Sequence, residues 1–577
     1  MINNYCLCFN RLKEGGSVGL QGPDNIEDSL TAKSITLLLD VESAILLPHF
    51  SEIDFLDEER PLVIMQPASP LQHNRIYAVL LHNAIGKDDA LLEPTPGFKA
   101  IFSGDVPSES QRSEQFTKTL LPAFTKAAPW LEHKIETFQL MFDFHTASAE
   151  NQLGHVRGVR DAVLSSVRKD DWDFDVKVNR VINFNCAHND IARTVHSEFK
   201  VPWYLENHGD GYRSAKMNQK SITSPASSND VAKGVAKFVV HVPCSVKINA
   251  LEGGGGKEVR TIVDFGHGLF GSREESSEAT FLHQMADDNG YLIIAMDWRG
   301  MSQFDMPVIL NMLIADPLKI EVVRDNIIQG YANKIALQEF ASNGLLEMES
   351  LKFGGKKLRL LNDLPPSTIF YGISMGGILG GGYTALMGST EIIDRSILGV
   401  PGTPFSLILS RSEDFYVYNQ VMLLNFYHNR HVRMFLSIFQ LAIDSVGAGG
   451  HLAGPTPTEN IPRVLIQAGL GDTQVTTIAA EILARSFGAS LLPNSPRNVF
   501  GLDSNATDPK SALTELLYQR EATSLPKTNK FPERNNVHFC VRKDWALRNQ
   551  IIQFINFDKI TNPCADDQCV RQSAAGC

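Results

Sequence analysis

The sequence predicts an α/β fold over roughly residues 235 to 560: a mostly parallel sheet with helices on both faces, preceded by a β-rich, sandwich-like domain. Three observations carry this. After about residue 235, short apolar runs alternate with stretches of helical periodicity, the pattern of strands joined by crossover helices. Before it, short strand-like runs follow one another with proline and polar turns between them. At 577 residues the chain is also too long for one ordinary core, so two domains are expected.

Taken in order, residues 1–33 are polar and glycine-containing and read as a loose segment. Residues 34–225 read as the β-rich domain. Its runs are Ile35–Leu39, Ala44–Leu47, Leu62–Met65, Ile76–Leu81, Phe138–Phe144 and Val181–Phe184. In the fifth, Phe138, Leu140, Phe142 and Phe144 share one face, as strand alternation requires. Glu114–Leu121 reads as a short helix ended or kinked by Pro122. The histidines here are scattered and suggest no site. Ser221–Gly234, small and polar, is a candidate linker.

Beyond it, Lys237–Val242 and Thr261–Phe265 read as strands, with Gly253–Gly256 as a hairpin-type loop between them. Tyr291–Met296, Ser367–Phe370, Ser396–Val400 and Arg463–Ala468 continue the strand series. Helices are expected over about 307–314, 318–340, 476–487 and 545–554. Residues 561–577 form a polar tail containing Cys564, Cys569 and Cys577.

An apolar fraction of 43% and a charged fraction of 20% are those of a soluble globular protein. Net charge is 53 − 65 = −12, which argues against nucleic acid and anionic membrane surfaces as general partners. No apolar run approaches the roughly 20 residues of a spanning helix. The N-terminus lacks a basic start followed by a long apolar stretch, so it does not read as a secretory signal. A cytoplasmic setting is the default expectation, and a secreted one if the true start lies upstream. Eight cysteines are not a disulfide scaffold; one terminal disulfide or free thiols are both open. Cys6-x-Cys8 has no histidines at metal-ligand spacing, so no zinc site is expected. Asn505-Ala506-Thr507 is a single sequon of the kind chance supplies.

The chain is organised around Tyr371-Gly372-Ile373-Ser374-Met375-Gly376-Gly377. A strand-like run precedes it and a small-residue helical run follows. A serine on so sharp a turn has a strained backbone, and neighbours two residues away must lack side chains. Ser374 is therefore the candidate nucleophile. It needs a base and an orienting acid, carried on loops at the C-terminal strand ends. Asp472 follows the Arg463–Ala468 strand on the loop Gly469-Leu470-Gly471-Asp472; its ordinary alternative is a helix N-cap. His538, in Asn535-Asn536-Val537-His538, sits just before the last helix and is the candidate base, with His451 as a weaker rival. An oxyanion needs donors. The loop Asp264-Phe265-Gly266-His267-Gly268-Leu269-Phe270-Gly271 leaves an early strand end. The backbone amides of Leu269 and Met375 are the expected pair, with His267 shaping the loop.

In order, GHGLFG, DWRGMS at Asp297–Ser302, GISMGG, GLGD and a late NNVH form a set that resembles the α/β-hydrolase superfamily, among lipase- and esterase-like members. The His267-Gly268-Leu269 element is similar to the oxyanion loop of bacterial-type lipases and esterases. The resemblance covers about residues 235–560 and implies a serine hydrolase, most often of esters; no cofactor or metal is expected. The minimal fold has no counterpart of the N-terminal domain. An insertion at about 405–455 carries Met422–Leu424 and Phe426, then Met434, Phe435, Ile438, Phe439, Leu441 and Ala442 at helical spacing. In this fold such helices often cover the site, so a cap favouring acyl or other hydrophobic substrates is expected, with core packing or a dimer contact as the alternative. Small-molecule or lipid esters are the expected substrates. Amide or peptide cleavage by the same residues, and a non-catalytic binding protein on this scaffold, are the competing readings.

Overall fold

The computed structural model describes residues 5–8, 20–54, 56–57, 62–86, 89–103, 111–206, 215–217, 232–390, 392–453, 461–521, 529–564, 569–575 and 577. The N-terminal region has two antiparallel sheets. β1 (Tyr5–Cys8), β5 (Leu62–Pro67) and β4 (His49–Ile53) form one; β3 (Ile45–Leu46), β2 (Thr36–Asp40), β6 (Ile76–His82) and β7 (Phe138–His145) form the other, each in that spatial order. They pack face to face through Ile53, Val63 and Met65 on one side and Leu38, Tyr77 and Val79 on the other. The second sheet's outer face carries the short helices between residues 96 and 127, through Leu37, Leu39, Leu80, Phe116 and Phe124. This is the expected sandwich, with one helical flank.

The rest is built on one eleven-stranded sheet. Its strands are β8 (Lys177–Asn183), β9 (Ile191–Pro202), β10 (Lys233–Pro243), β11 (Thr261–Gly266), β12 (Tyr291–Met296), β13 (Ser367–Ile373), β14 (Arg395–Gly399), β15 (Arg463–Leu470), β16 (Ser490–Leu491), β17 (Ala512–Tyr518) and β18 (Val570–Arg571). The spatial order is β8-β9-β10-β12-β11-β13-β14-β15-β17-β16, with β18 also on β17. β8, β9, β10 and β12 pair antiparallel; from β12 onward every pairing is parallel. Strands such as β11 and β12 are continuous apolar runs because both faces are covered. Leu292 and Ile294 enter the core beneath the helices Ile320–Asn343 and Met375–Met387. Ile293 and Ala295 enter the opposite core, with Thr280–Asn289 and Trp545–Phe557. This order, with a helix following most parallel strands, is the α/β-hydrolase fold.

Several expectations need correcting. The sheet does not begin at residue 235: β8 and β9 lie inside the expected 34–225 domain, and β9 pairs with β10 over nearly its whole length. A polar stretch marks a surface connection, whereas sheet membership is fixed by partners distant in sequence. The candidate linker lies outside the described residues up to residue 231. Gly253–Gly256 is not a hairpin loop: a helix, Cys244–Glu252, precedes it, Gly253 (φ 72°) ends that helix, and β12 separates β10 from β11. Residues 20–33 are not loose. Gln21 is buried and bonds Thr36 and the His49 carbonyl, and Ile26–Leu30 is a 3₁₀ turn. The polar C-terminal tail is tied into the fold, since β18 extends the sheet and Cys564, Cys569 and Ala574 are buried. Three disulfides form, Cys186–Cys244, Cys540–Cys577 and Cys564–Cys569, where at most one was expected. Among the described residues no helix is long and apolar enough to cross a membrane.

Candidate active site

Ser374 stands between β13 and the helix Met375–Met387 with φ 58° and ψ −121°, a conformation that costs on the order of 1–3 kcal/mol and persists only where surroundings enforce it. They do so here by close approach. A β-carbon at Gly372 would overlap the Gly376 carbonyl, and one at Gly376 would overlap the Gly266 carbonyl at the end of β11. The Ser374 amide is tied to the Gly399 carbonyl at 2.9 Å, and its own carbonyl takes the Ile378 amide at 2.9 Å. The hydroxyl is thus held over the C-terminal end of the sheet.

Two strands away, β15 delivers Asp472. Its Oδ2 lies 2.7 Å from His538 Nδ1. Its Oδ1 accepts the amides of Gln474 and Val475 at 2.8 and 3.0 Å, so both oxygens are engaged. The carboxylate is not the N-cap of the next helix; Thr476 is. His538 is the second residue of the helix Val537–Lys543 and is 1% exposed. With Nδ1 on the carboxylate, Nε2 carries the lone pair. The loops that carry Asp472 and His538 are joined by Asn535, whose side-chain amide donates to the Gly471 carbonyl at 2.8 Å and whose Oδ1 accepts the Val537 amide at 3.1 Å. Among the described residues no hydrogen bond joins Ser374 to His538. Such contacts are often long without substrate.

The loop after β11 is equally determined. The Trp298 amide donates to His267 Nε2 at 2.8 Å, which leaves Nδ1–H to donate to the Gly268 carbonyl, also at 2.8 Å. Burial holds the His267 imidazole below its ordinary pKa. Both ring nitrogens are used, so it shapes the loop. His451 is also removed from consideration: its Nε2 bonds the Ser445 carbonyl, and burial pushes it down to about 3.

Ser374 opens into a cleft whose walls are almost wholly apolar. Its walls include Leu269, Ile378, Met422, Phe435, Leu436 and Phe439. The insertion supplies much of this through Phe405–Leu409, Tyr416–Phe426 and Asn429–Ile443. Its apolar stripe splits: Phe435 and Phe439 face the cleft, whereas Met434, Ile438 and Leu441 are 43–51% exposed. Sequence reasoning missed the contribution of the helix Met306–Ala315, through Ile309, Met312 and Leu313, and one charge, Asp414, whose carboxyl is raised by burial and lowered in part by His538. Among the described residues no cluster of His, Cys, Asp and Glu could hold a metal ion.

No family model and no curated protein matches the chain. Solved structures it is similar to include an S-formylglutathione hydrolase from Agrobacterium tumefaciens (11% identity, 67% of this chain and 100% of that one, TM-score 0.33). Others are an esterase from Pyrobaculum calidifontis (11%, 71% and 92%, TM-score 0.30) and prolyl oligopeptidase B from Galerina marginata (11%, 57% and 35%, TM-score 0.29). At such scores they lend no weight to a function. The fold rests on the chain's own strand order and on the placement of Ser374, Asp472 and His538 after β13, β15 and β17.

Proposed function

We propose that the protein is a serine hydrolase that cleaves carboxylic esters through an acyl-enzyme. The observation that carries this is the buried Asp472–His538 pair at 2.7 Å, on the same sheet end as a serine held at positive φ. His538 Nε2 takes the Ser374 proton as Oγ attacks the ester carbonyl. Asp472 stabilises the imidazolium that forms. The oxyanion of the tetrahedral intermediate is met by the amides of Leu269 and Met375. Met375 is the first residue of its helix, so its amide has no partner within the helix. The imidazolium then protonates the leaving alkoxide, and water repeats the sequence to release the acid.

The cleft favours an ester over a peptide. Its walls offer an acyl chain Leu, Ile, Met and Phe side chains, whereas an extended peptide needs partners for its backbone amides. Ser374→Ala should lower turnover of p-nitrophenyl esters by several orders of magnitude and leave the melting temperature near wild type. Fluorophosphonate should label Ser374 in the folded protein. Wild-type turnover in the alanine variant, or peptide anilides cleaved better than esters, would overturn the proposal.

A further inference from the structure

The loop from Gly268 to Gly271 has four amides, and three are committed. Gly268 N–H donates to Glu275 Oε2 at 2.8 Å, Phe270 N–H to the Met301 carbonyl at 3.1 Å and Gly271 N–H to the Gly268 carbonyl at 3.1 Å. Among the described residues the Leu269 amide has no such acceptor. Its direction is fixed through its own peptide plane: the carbonyl of that plane is Gly268's, which takes His267 Nδ1–H and Gly271 N–H together. The other peptide of Gly268 is held by Glu275.

Glu275 is not a remote support. A β-carbon on Gly268 would lie 3.6 Å from Glu275 Oε2 and 3.8 Å from Ser374 Cβ. A bare carboxylate so close to a developing oxyanion would oppose catalysis, and here it has a counter-ion. Glu275 Oε1 lies 3.6 Å from Arg542 Nη1, at side-chain exposures of 29% and 16%. Arg542 is one turn beyond His538 on the same helix, with its guanidinium 4.4 Å over the Phe539 ring. The pair therefore links the loop that offers the oxyanion donor to the helix that carries the base.

Building on the hydrolase reading, we infer that Glu275 is a positioning residue. By accepting the Gly268 amide and pairing with Arg542, it holds the Leu269 amide on the reacting carbonyl and registers that donor with His538. It touches no substrate atom. Its effect falls on the transition state, where the oxyanion forms, and little on substrate binding.

The test compares Glu275→Ala with Glu275→Gln, which keeps an oxygen acceptor for the Gly268 amide. Removing a donor outright costs about 10²–10³ in turnover, so a donor left in place but misdirected should cost about 10–100-fold. Glu275→Ala should lower kcat by that factor with KM little changed. An arylboronic acid, which forms a tetrahedral adduct on Ser374, should bind more weakly by the same factor. Glu275→Gln should recover most of both. Fluorophosphonate titration counts the folded, competent sites in each protein. Wild-type kcat in Glu275→Ala overturns the inference, as does a kcat loss without weaker boronate binding, or a glutamine variant as impaired as alanine. Failure of the wild-type protein to label at Ser374 refutes the hydrolase reading itself and takes this inference with it.

Discussion

The cleft beside Ser374 sets a slope that can be measured. An acyl chain entering among Leu269, Ile378, Met422, Phe435 and Phe439 leaves water for a wall of apolar side chains. Each buried methylene is worth about 0.8 kcal/mol, and about 1.36 kcal/mol is tenfold in rate. The specificity constant should thus rise about fourfold per methylene, about 15-fold from acetate to butyrate and about 200-fold from acetate to hexanoate, as upper values. The rise should stop where the chain outgrows the cleft. The assay is kcat/KM on a p-nitrophenyl ester series with a constant leaving group. A second arm uses Leu409→Trp. Leu409 lines the cleft and is only half-buried, so the larger ring fills space without disturbing a packed core. It should leave acetate turnover near wild type and flatten the slope. A flat or falling profile in the wild-type protein would refute the acyl-pocket reasoning. Equal loss on all esters in Leu409→Trp would mean that the chain binds elsewhere.

Other consequences can be checked separately. Asp472→Asn keeps the Oδ1 contacts to Gln474 and Val475 but presents an amide to His538 Nδ1; kcat should fall about 10⁴-fold by analogy with other triads, and a fall under tenfold would remove Asp472 from the site. Burial raises the Asp444 carboxyl to about 6 from 3.8, so the folded state holds this proton more tightly than the unfolded chain. The stability it contributes is complete below about pH 4 and lost as pH rises to about 6, about 3 kcal/mol in all. Asp444→Asn should therefore stabilise the protein at pH 7–8 and change little at pH 4, measured by urea unfolding; the reverse ordering would refute this. Cys186–Cys244 spans 58 residues. Chain entropy puts that closure at about 4 kcal/mol, so replacing both cysteines with alanine should lower the denaturation midpoint clearly, and an unchanged midpoint would mean the bond contributes nothing.

The elbow was legible because its cause is local. Gly372 and Gly376 flank Ser374 so that backbone can pass within van der Waals distance, and that requirement is written in three alternate residues. The meeting of Asp472 and His538 was legible because each follows an apolar run or starts a helix, and a parallel sheet gathers the loops at its C-terminal strand ends. Glu275, Arg542 and Asn535 were not. Glu275 meets Arg542 across 267 positions (542 − 275), and nothing local distinguishes it from the charged residues around it. The disulfides failed for the same reason, since spacing says nothing of which cysteines a fold brings to bonding distance. β8 was read as a strand, at Val181–Phe184, but assigned to the wrong sheet, because alternation reports a strand's faces and not its neighbours; β9 (Ile191–Pro202) was not read as a strand at all. The cleft wall at Met306–Ala315 was recognised only as a helix, because its partner, Tyr416–Phe426, lies about a hundred residues away.

Among the described residues the N-terminal region supplies none to the cleft, yet it holds the part of the insertion that does. On the helix Asn429–Ile443, Phe435, Leu436 and Phe439 face the cleft. Arg430 and Arg433 leave the same helix toward the sandwich. Arg433 Nε reaches Asp54 at 3.3 Å, Arg430 Nη1 reaches Asp57 at 2.9 Å, and Arg411, just before the cap hairpin, pairs with Glu52. Asn529 joins them, donating to the Ile53 carbonyl at 2.9 Å and accepting from Arg433. Apolar contact alone lets a helix slide or rotate over a cleft, whereas buried charge pairs hold only in one geometry. Removing one partner of such a pair costs about 3–5 kcal/mol, because the other charge is left buried and alone. A fragment starting at residue 235 would strand Arg411 and Arg433, 1% and 5% exposed, and would strip β9 from the edge of β10. Such a fragment should fail to fold, despite containing Ser374, Asp472 and His538. A soluble, cooperatively melting fragment with wild-type ester turnover would show that the sandwich is an appendage to the catalytic unit.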